Sequence, residues 1–572
     1  MCKLPLLLTA LISLPVYSQV VINEVNTSNM NGLTDSFGDR EDWVELYNTT
    51  AAAIDLSGWY LSNKVNNPAK WAFPTGATIP ANGRLVVFCS KRNTVAGSEY
   101  HTNFKLNQSD NDHVVLSDPS VTIVDDLLLD PPTKLDNSRG RTTDGASTWS
   151  LFLSPTPNAP NTGASPEYAS RPQLSPNAGF YSAAVNVTMS NTDGSTIRYT
   201  LDGTEPTATS TIYSGPVTIS ATTVVRAASF SGTSGVPPSF LETNTYFINA
   251  THSTAVLSVA GDQVDDLLNG NGSLEPYGSF EYFGPDQQLR DEATGEFNEH
   301  GNDSWAYGQR GFDYITRDQT GYNDAIHYPV FHATPRNKFQ RLIIKAAAND
   351  NYPFEDGAHI RDAYVHSLAQ AGHLKLDVRT YEPCVLYVNG QYWGVYEIRE
   401  KCDDHDYTKE YYDQDEYDLQ YLKTWGATWS EYGGPQAQTD WDALLAYIMG
   451  NNMGDPTAFA YVDGQFNWKS LVDYAVLSSY TVCTDWLNWN TAWWRGFNPN
   501  GEHKKWGYAL WDDDATFGHY INYTGVPQTT PDADPCNAEN LPDPGGQGHI
   551  PILLKLINEN PDRKSTRLNS SH

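Results

Sequence analysis

Short runs of apolar residues, each broken by Asn, Gly or Pro, fill the first part of the chain. Five of them, VVINEV, DWVELYN, GWYLS, RLVVFC and HVVLSD, follow one another between residues 19 and 153. Short runs at close spacing with turn residues between them are typical of β-sandwiches and barrels. We therefore predict a first all-β domain over residues 19–153.

A segment dense in Pro, Asn, Gly and Ser, residues 154–171, separates this region from a second group of strand-like runs. Its composition predicts a linker. In residues 172–248, the runs VNVTMS, TIRYTLDG, PVTIS and TTVVRAAS alternate apolar and polar positions, which indicates half-buried strands of a second, smaller all-β domain. Asp202 and Gly203 are expected to form a turn there, because Gly tolerates positive φ and Asp bonds to its own backbone.

The pattern changes near residue 254, where helical periodicity begins and most of the tryptophans are found. CVLYVNGQYWGVYEI consists of two apolar runs joined by Asn389 and Gly390, the strongest short hairpin signal that a sequence offers. WKSLVDYAVLSSYTVC predicts a buried helix, and the strands AWWRGF and WGYALW follow it. Residues 254–561 are therefore predicted to form one mixed α+β domain.

One further helix is predicted in this region, over IRDAYVHSLAQAG. Its apolar positions share one helical face and are Ile360, Tyr364, Leu368 and Ala371. Gly372 follows, at the position where a glycine commonly ends a helix.

The charge balance argues against one class of partner. The chain has 572 residues with 36 Lys and Arg against 68 Asp and Glu, a net charge of −32. It therefore lacks the positive field that binds nucleic acids or anionic membranes. A hydrophobic fraction of 39% with 12% aromatic residues argues against global disorder.

Both ends of the chain differ from the regions between them. An apolar run, Leu4–Leu14, and then the small residue Ser18 predict a secretory signal over residues 1–18. The run is shorter than the roughly 20 apolar residues of a transmembrane helix, so we expect no membrane span and a secreted or cell-surface protein. Residues 562–572 become abruptly basic and Ser-rich and resemble a translated sequencing adapter. We expect that tail to be non-native and the domain before it to be C-terminally truncated.

The third region also contains a set of residues suited to phosphoryl transfer. Asp485 follows the predicted buried helix, Asn490 comes five residues later, and Asp512–Asp514 follow one predicted hairpin. Phosphoryl transfer needs a carboxylate to orient or deprotonate the acceptor hydroxyl, and an amide and a further carboxylate to hold Mg²⁺. In protein kinases the catalytic-loop Asp and Asn are separated by the same interval, and the metal-binding Asp also follows a hairpin, so the order of these residues matches that arrangement.

A lysine that positions phosphates is expected upstream, on a strand that precedes a helix. RLIIKAAAND provides Lys345 on such a strand. Asp362, in the following helix, is its expected partner, with Glu397 and Glu400 as alternatives.

Three resemblances to known families fit these regions. INEV, EDWVELYN, DLSGWYLS and IPANGRLVVF resemble a lamin-tail domain, an immunoglobulin-like sandwich with interaction or structural roles. TIRYTLDGTEPT resembles the C-terminal domain of chitobiase-type enzymes, a small accessory sandwich. KAAAND, YVNGQYWGVYEIREK, the 485–490 loop and WDDDATFG resemble the spore-coat-protein-H (CotH) kinase-like family, over roughly residues 279–518.

The CotH resemblance implies an atypical protein-kinase fold that transfers phosphate from Mg-ATP to a secreted protein. Carried over by position, it implies that Asp485 is the catalytic aspartate and that Asn490 and Asp512 or Asp514 hold the metal. Lys345 would contact the nucleotide. A phosphate-binding glycine loop with the usual spacing is not evident, and the candidate segments for that role are GPDQQLRDEATGEFNEHG and AYGQRGF.

Three functions remain open at this point. The leading one is a secreted, Mg²⁺-dependent protein kinase whose two β domains bind a surface polymer or glycan. The second is a non-catalytic surface or matrix adhesion protein that uses the kinase-like fold as a scaffold. The third is a polysaccharide-associated protein whose large domain acts on sugars. Intact Asp485, Asn490 and Asp512 favour the first, and no convincing carboxylate pair of a glycosidase is evident.

Overall fold

The computed structural model describes residues 19–302, 305, 307–351, 357–530, 532–534, 541 and 547–559. The predicted signal segment and the predicted non-native tail lie outside these residues. The chain forms two compact units. The first comprises Met1–Ala169, Ser231–Phe240 and Gln319–Gly321, and the second comprises Ser170–Phe230, Leu241–Asp318 and Tyr322–His572. Within the described residues, none of the helices has the length and apolar character needed to cross a membrane.

The first unit is built from β-sheets. Its strands are β1 Val20–Asn26, β2 Trp43–Asn48, β3 Ile54–Asp55, β4 Tyr60–Ser62, β5 Trp71–Ala72, β6 Thr78–Ile79, β7 Arg84–Phe88, β8 Thr94–Ala96, β9 Glu99–His101, β10 His113–Ser117, β11 Ile123–Leu128, β12 Ser138–Arg141 and β13 Trp149–Phe152. A seven-stranded sheet has the order β13-β12-β1-β2-β7-β9-β8, and a four-stranded sheet the order β11-β10-β4-β5. All five runs predicted as strands here are confirmed as strands.

The segment predicted as a linker contains neither a helix nor a strand between residues 154 and 171. Its first half is nevertheless fixed to the first unit by buried acids. The Asn158 N–H donates to Glu45 Oε2 at 2.6 Å, and the Thr156 N–H donates to Glu24 Oε1 at 2.9 Å. A composition rich in Pro and Asn therefore predicts the lack of regular structure but not the contacts that hold the segment.

The second unit begins with two small sheets. Their strands are β14 Gln173–Ser175, β15 Gly179–Tyr181, β16 Val185–Ser190, β17 Thr196–Thr200, β18 Thr211–Ile212, β19 Val217–Ile219, β20 Thr223–Phe230 and β21 Glu242–Ile248. The sheet orders are β14-β16-β19 and β15-β21-β20-β17-β18. The predicted turn is confirmed, because Gly203 has φ 81° and Asp202 Oδ1 accepts the Thr204 N–H at 3.1 Å.

A closed sheet of seven strands follows in the second unit. Its strands are β22 Ala255–Ala260, β23 Tyr277–Phe283, β24 Leu289–His300, β25 Gly311–Thr316, β26 Arg341–Lys345, β27 Tyr381–Val388 and β28 Gln391–Glu400, and helix α1 is Val264–Leu268. The order is β22-β23-β24-β25-β26-β28-β27. The sheet closes because β27 pairs in parallel with β22. The hairpin predicted between β27 and β28 is confirmed, with positive φ at Asn389 and Gly390.

The remaining elements are mostly helical. They are α2 Arg361–Ala371, α3 His405–Tyr412, β29 Leu419–Trp425, β30 Ala427–Tyr432, α4 Gly434–Gly450, α5 Pro456–Gln465, α6 Trp468–Tyr480, β31 Thr491–Gly496, β32 Gly507–Leu510 and α7 His549–Glu559. The strands form one sheet of order β30-β29-β31-β32. Several tryptophans are buried here and pack together. The centre of the Trp441 ring lies 5.4 Å from that of Trp493 and 5.5 Å from that of Trp506. The predicted helix α6 and the hairpin after it are confirmed.

The predicted apolar face of helix α2 is wrong, although the helix itself is present. Ile360 and Tyr364 are 59% and 50% exposed, whereas Asp362 and His366 are buried. The buried face is a different one, formed by Asp362 and His366 together with the apolar Val365 and Ala369. The two polar side chains are buried there because their partners come from distant parts of the chain. Gly372 is also not the left-handed residue that ends the helix, since its φ is −76° and the next residue, His373, has φ 51°.

Candidate active site

A cavity of about 370 Å³ is lined by residues of the closed sheet and of the sheet formed by β29 to β32. Its lining includes three of the residues predicted from sequence, Lys345, Asn490 and Asp512. Asp362, Asp485 and Asp514 are not part of the lining. The structure thus brings half of the predicted set to the cavity surface, and the other half lies outside its lining.

Lys345, the last residue of β26, joins two of the predicted acids. Its Nζ lies 2.8 Å from Asp362 Oδ2 and 2.5 Å from Asp512 Oδ1. Burial opposes the charge of this ammonium group, but the two carboxylates outweigh burial and raise the pKa of Lys345 above its ordinary value. The lysine is therefore a fixed positive charge at the wall of the cavity.

The two alternative partners of Lys345 are occupied elsewhere. Glu397 Oε2 lies 3.0 Å from Arg399 Nη1, and Glu400 Oε1 lies 3.1 Å from Arg336 Nη1. Of the three acids predicted as partners of Lys345, Asp362 is therefore the one that pairs with it in the structure.

Asp362 is the centre of a buried network behind Lys345. Its Oδ2 also accepts from Arg399 Nη1 at 2.8 Å, and its Oδ1 accepts the Asp513 N–H at 2.7 Å. Burial favours the protonated carboxyl, but Arg399 and Lys345 outweigh it and hold the pKa of Asp362 well below its usual range. Asp362 therefore positions Lys345 and the loop that carries Asp512.

The loop between α6 and β31 holds Asp485 and Asn490 together. Asn490 Nδ2 donates to Asp485 Oδ2 at 3.0 Å, and the Asn490 backbone is left-handed with φ 37°. This bond orients the Asn490 amide, so its oxygen is the atom of that amide suited to bind a cation. Asp485 is buried, with 8% of its surface exposed.

The three consecutive acids after β32 have different surroundings. Asp512, with φ 61°, lines the cavity and contacts Lys345. Burial, together with the charges of Asp362 and Asp512, raises the pKa of Asp513 to about 8. Asp514 Oδ2 accepts the Asn349 N–H at 2.7 Å, whereas its buried Oδ1 has no hydrogen-bond partner in the part of the chain that the structure describes. Burial raises the pKa of Asp514 well above its usual value.

These acids and the Asn490 amide fit Mg²⁺ in the kind of ligand atom they offer. Mg²⁺ prefers carboxylate, carbonyl and water oxygens. Asp512, Asn490 and the unpartnered Oδ1 of Asp514 supply such oxygens. A cation beside Asp514 would offset the burial that now favours its protonated form.

Another group of ligand-type side chains has a different explanation. In the described part of the chain, Asp362, His366 and Asp513 form the group of three whose ligand atoms lie within 4.8 Å of one another. His366 Nδ1 accepts the Arg379 N–H at 2.9 Å, so the neutral ring carries its proton on Nε2, 3.3 Å from a carboxylate oxygen of each acid. Burial lowers the pKa of His366 to about 4 and keeps the ring neutral. A protonated Nε2 cannot bind a metal, so His366 connects α2 to the acidic loop.

The cavity has basic and aromatic walls that the sequence predictions missed. Its lining includes the cations Arg379, Lys401 and Lys423 and the rings Trp425, Trp429 and Trp511. The sequence held a signal for one of these residues, because Lys401 is the last residue of the motif YVNGQYWGVYEIREK. The two candidate glycine-loop segments both contribute, through His300 and Gly301 from the first and Gln309 and Gly311 from the second.

Comparisons with known families agree with this site. Residues 336–552 match the CotH kinase protein family, residues 15–128 the Lamin Tail Domain, and residues 176–238 the Chitobiase/beta-hexosaminidase C-terminal domain. The chain carries these three domains. Every site residue predicted from the sequence lies within the CotH match, whereas strands β22 to β25 of the closed sheet precede it. No curated protein matches the chain significantly.

Proposed function

We propose that this protein is a secreted atypical protein kinase that transfers phosphate from Mg-ATP to a protein acceptor. The observation that carries the proposal is the cavity lined by Lys345, Asn490 and Asp512, three residues that lie within the CotH match. In a chain of net charge −32, a triphosphate needs local cations to neutralise it. Lys345 is such a cation, and Arg379, Lys401 and Lys423 line the same cavity.

The order of elements supports a kinase-like fold for this domain. Lys345 ends a strand and is paired with an acid of the next helix, as the phosphate-binding lysine is in protein kinases. The Asp485–Asn490 loop follows a buried helix, and the acidic loop follows one hairpin. We infer further that both β regions before it are immunoglobulin-like accessory domains, which hold the enzyme on a surface polymer or an acceptor.

Each site residue has a role in this proposal. Lys345 contacts a phosphate oxygen, while Asp362 and Arg399 keep its ammonium group in place. Asp485 accepts the proton of the acceptor hydroxyl and, through Asn490, shapes the edge of the cavity. Bound Mg²⁺ would be held by Asn490, Asp512 and Asp514 and would neutralise the charge of the phosphates.

Phosphate transfer from radiolabelled ATP and Mg-ATP binding together test this proposal. Asp485→Ala should reduce transfer by about 10²-fold or more, because it removes the proton acceptor, and should leave Mg-ATP binding largely intact. Asp512→Ala should weaken Mg-ATP binding itself. Asp442→Asn, at an exposed position of α4, is the matched control and should behave as the wild type.

Two outcomes would contradict the proposal. Transfer by Asp485→Ala at the wild-type rate would show that the assigned mechanism is wrong. If the wild-type protein neither binds Mg-ATP nor transfers phosphate, the result would favour the non-catalytic protein that uses the kinase-like fold as a scaffold.

A further inference from the structure

Three of the cations that line the same cavity have no individual role in the mechanism above. Arg379, Lys401 and Lys423 surround the carboxylate of Asp403. Arg379 Nη2 lies 3.2 Å from Oδ1, and the Nζ atoms of Lys423 and Lys401 lie 2.6 and 3.8 Å from Oδ2. All four residues line the cavity, and we call them the cationic cluster.

Positive charge exceeds negative charge in this buried cluster. Lys401 has a second carboxylate partner, Asp313, at 2.8 Å. The other oxygen of Asp313 lies 2.8 Å from His300 Nδ1, and burial lowers the pKa of His300, so that ring adds no charge. Counting ion pairs, three cations thus share two buried carboxylates. Asp362 and Asp512 also act on Arg379, but both are paired with Lys345. Glu431, 4.0 Å from Lys423, is exposed, and water screens its charge.

The cations of the cluster also keep hydrogen-bonding capacity that the protein does not use. Arg379 is 2% exposed, and among the described residues its buried Nε has no hydrogen-bond partner. Lys423 is 7% exposed, and its Nζ lies 4.3 Å from the centre of the Trp511 ring. Burying cations with unused donors is costly unless an anion satisfies them.

We propose that the cationic cluster is a phosphate-binding site additional to Lys345. Lys345 is already shared by two carboxylates, whereas the cluster offers a surplus charge and a guanidinium, the group best suited to bind phosphate oxygens. The phosphate belongs either to the nucleotide or to a phosphorylated acceptor segment. The nucleotide assignment rests on the proposed function, but the binding of phosphate does not.

Inorganic tripolyphosphate in excess EDTA isolates this site from any metal, and isothermal titration calorimetry measures its affinity. Lys423→Met keeps the apolar stem over Trp511 and removes the charge, so it should weaken binding about tenfold. Asp403→Asn removes an opposing carboxylate and should tighten binding. Lys338→Met is the control, because Lys338 pairs with Asp324 at 2.7 Å outside the cavity lining and should have no effect.

The changes in affinity expected for Lys423→Met and Asp403→Asn have opposite signs, which separates an effect on anion binding from a loss of folding. Thermal melting of each variant checks folding directly.

Wild-type affinity in Lys423→Met would overturn the inference. So would a wild type that binds Mg-ATP but not tripolyphosphate in EDTA, and this result would leave the proposed kinase function standing. Tripolyphosphate binding without Mg-ATP binding would support the cluster and contradict the kinase. Displacement by ATP would assign the phosphate to the nucleotide, and displacement by a phosphoserine peptide alone would assign it to the acceptor.

Discussion

At the scale of single residues, Asp362 explains most of the order around the cavity. One carboxylate holds Lys345, Arg399 and the backbone of Asp513, three groups that come from three different elements. Two of them are buried cations, which are costly without a partner. The position of Asp362 therefore fixes both the lysine and the acidic loop.

Asp362→Asn should consequently be strongly destabilising. Lys345 and Arg399 would stay buried but would lose the negative charge of the carboxylate that they share. Removing one partner of a buried ion pair costs about 3–5 kcal/mol. Urea denaturation measures the free energy of unfolding. Asp440→Asn is the control, since Asp440 pairs with Arg495 at a partly exposed site and should lose about 1 kcal/mol or less. Equal losses in both variants would show that Asp362 has no special structural role.

Buried acids outside the cavity make the stability of the protein fall as the pH rises. Paired carboxylates have the opposite effect, since they lose stability as the pH falls. Burial raises the pKa of Glu281 to about 8, and Thr245 donates its N–H to this carboxyl at 3.0 Å. Because the folded-state pKa exceeds the unfolded value, this contribution to stability is complete below about pH 4.5 and is lost as the pH rises through about 8.

Glu281→Gln removes that titration while keeping the side chain's shape and an oxygen for Thr245. The variant should be more stable than the wild type at about pH 9, by an amount on the order of a few kcal/mol, and should lose less stability between about pH 6 and pH 9. Denaturation at the two pH values measures the difference. Glu410→Gln, at an exposed position of α3, is the control and should keep the wild-type pH dependence.

Sequence reasoning found the acids of the site but not their separate roles. A run of three aspartates does not show which one reaches a cavity. That choice depends on the left-handed backbone of Asp512 and on Asn349 and His366, which lie far away in the sequence.

At the scale of elements, local sequence patterns predicted which helices and strands form, but not always which face of a helix is buried. Five strands of the first β region follow from short apolar runs between turn residues, and four predicted strands of the second follow from a period of two. Helix α6 follows from its apolar run, and the Asn389–Gly390 turn follows from its residue types. Helix α2 fails this rule because Asp362 and His366 occupy its buried face. A functional site is where polar residues replace the apolar pattern.

The Asn389–Gly390 turn makes a further element-level prediction. Gly390 has φ 78°, and a Cβ there would lie 3.2 Å from the backbone N of Val224. Gly390→Ala should therefore destabilise the protein by about 1–3 kcal/mol, through backbone strain and crowding. Gly450→Ala, at the end of α4, is the control. Apart from its chain neighbours and the nearby backbone of α4, an added Cβ would have no described atom within 4 Å, so stability should change by about 1 kcal/mol or less. Thermal denaturation compares the two, and similar shifts would contradict the role given to the turn.

At the scale of the whole molecule, the second β region and the closed sheet share a core. Phe247, Val256, Phe283, Val385 and Tyr387 form one buried cluster. Strand β21 is buried on both faces: Tyr246 and Ile248 lie in the core of the second β region, and Phe247 lies in the shared cluster. No alternation of apolar and polar residues shows this, so the sequence separated regions that the structure packs together in one compact unit. The domain boundaries drawn from sequence stay predictions.

This shared core predicts that the second β region and the closed sheet unfold together. Phe247 is 0% exposed, and its ring lies 5.2 Å from that of Phe283 and 4.9 Å from that of Tyr387. Phe247→Ala should cost about 3–5 kcal/mol, since the cavity it leaves is lined by both regions. Hydrogen exchange read by mass spectrometry should then quicken in peptides of the β27–β28 hairpin as much as in those of β20 and β21. Phe497→Ala, the same change at a side chain that is 50% exposed, should leave both sets of peptides protected as in the wild type. Faster exchange in β20 and β21 alone would mean that the second β region opens independently and that the cluster does not couple the two.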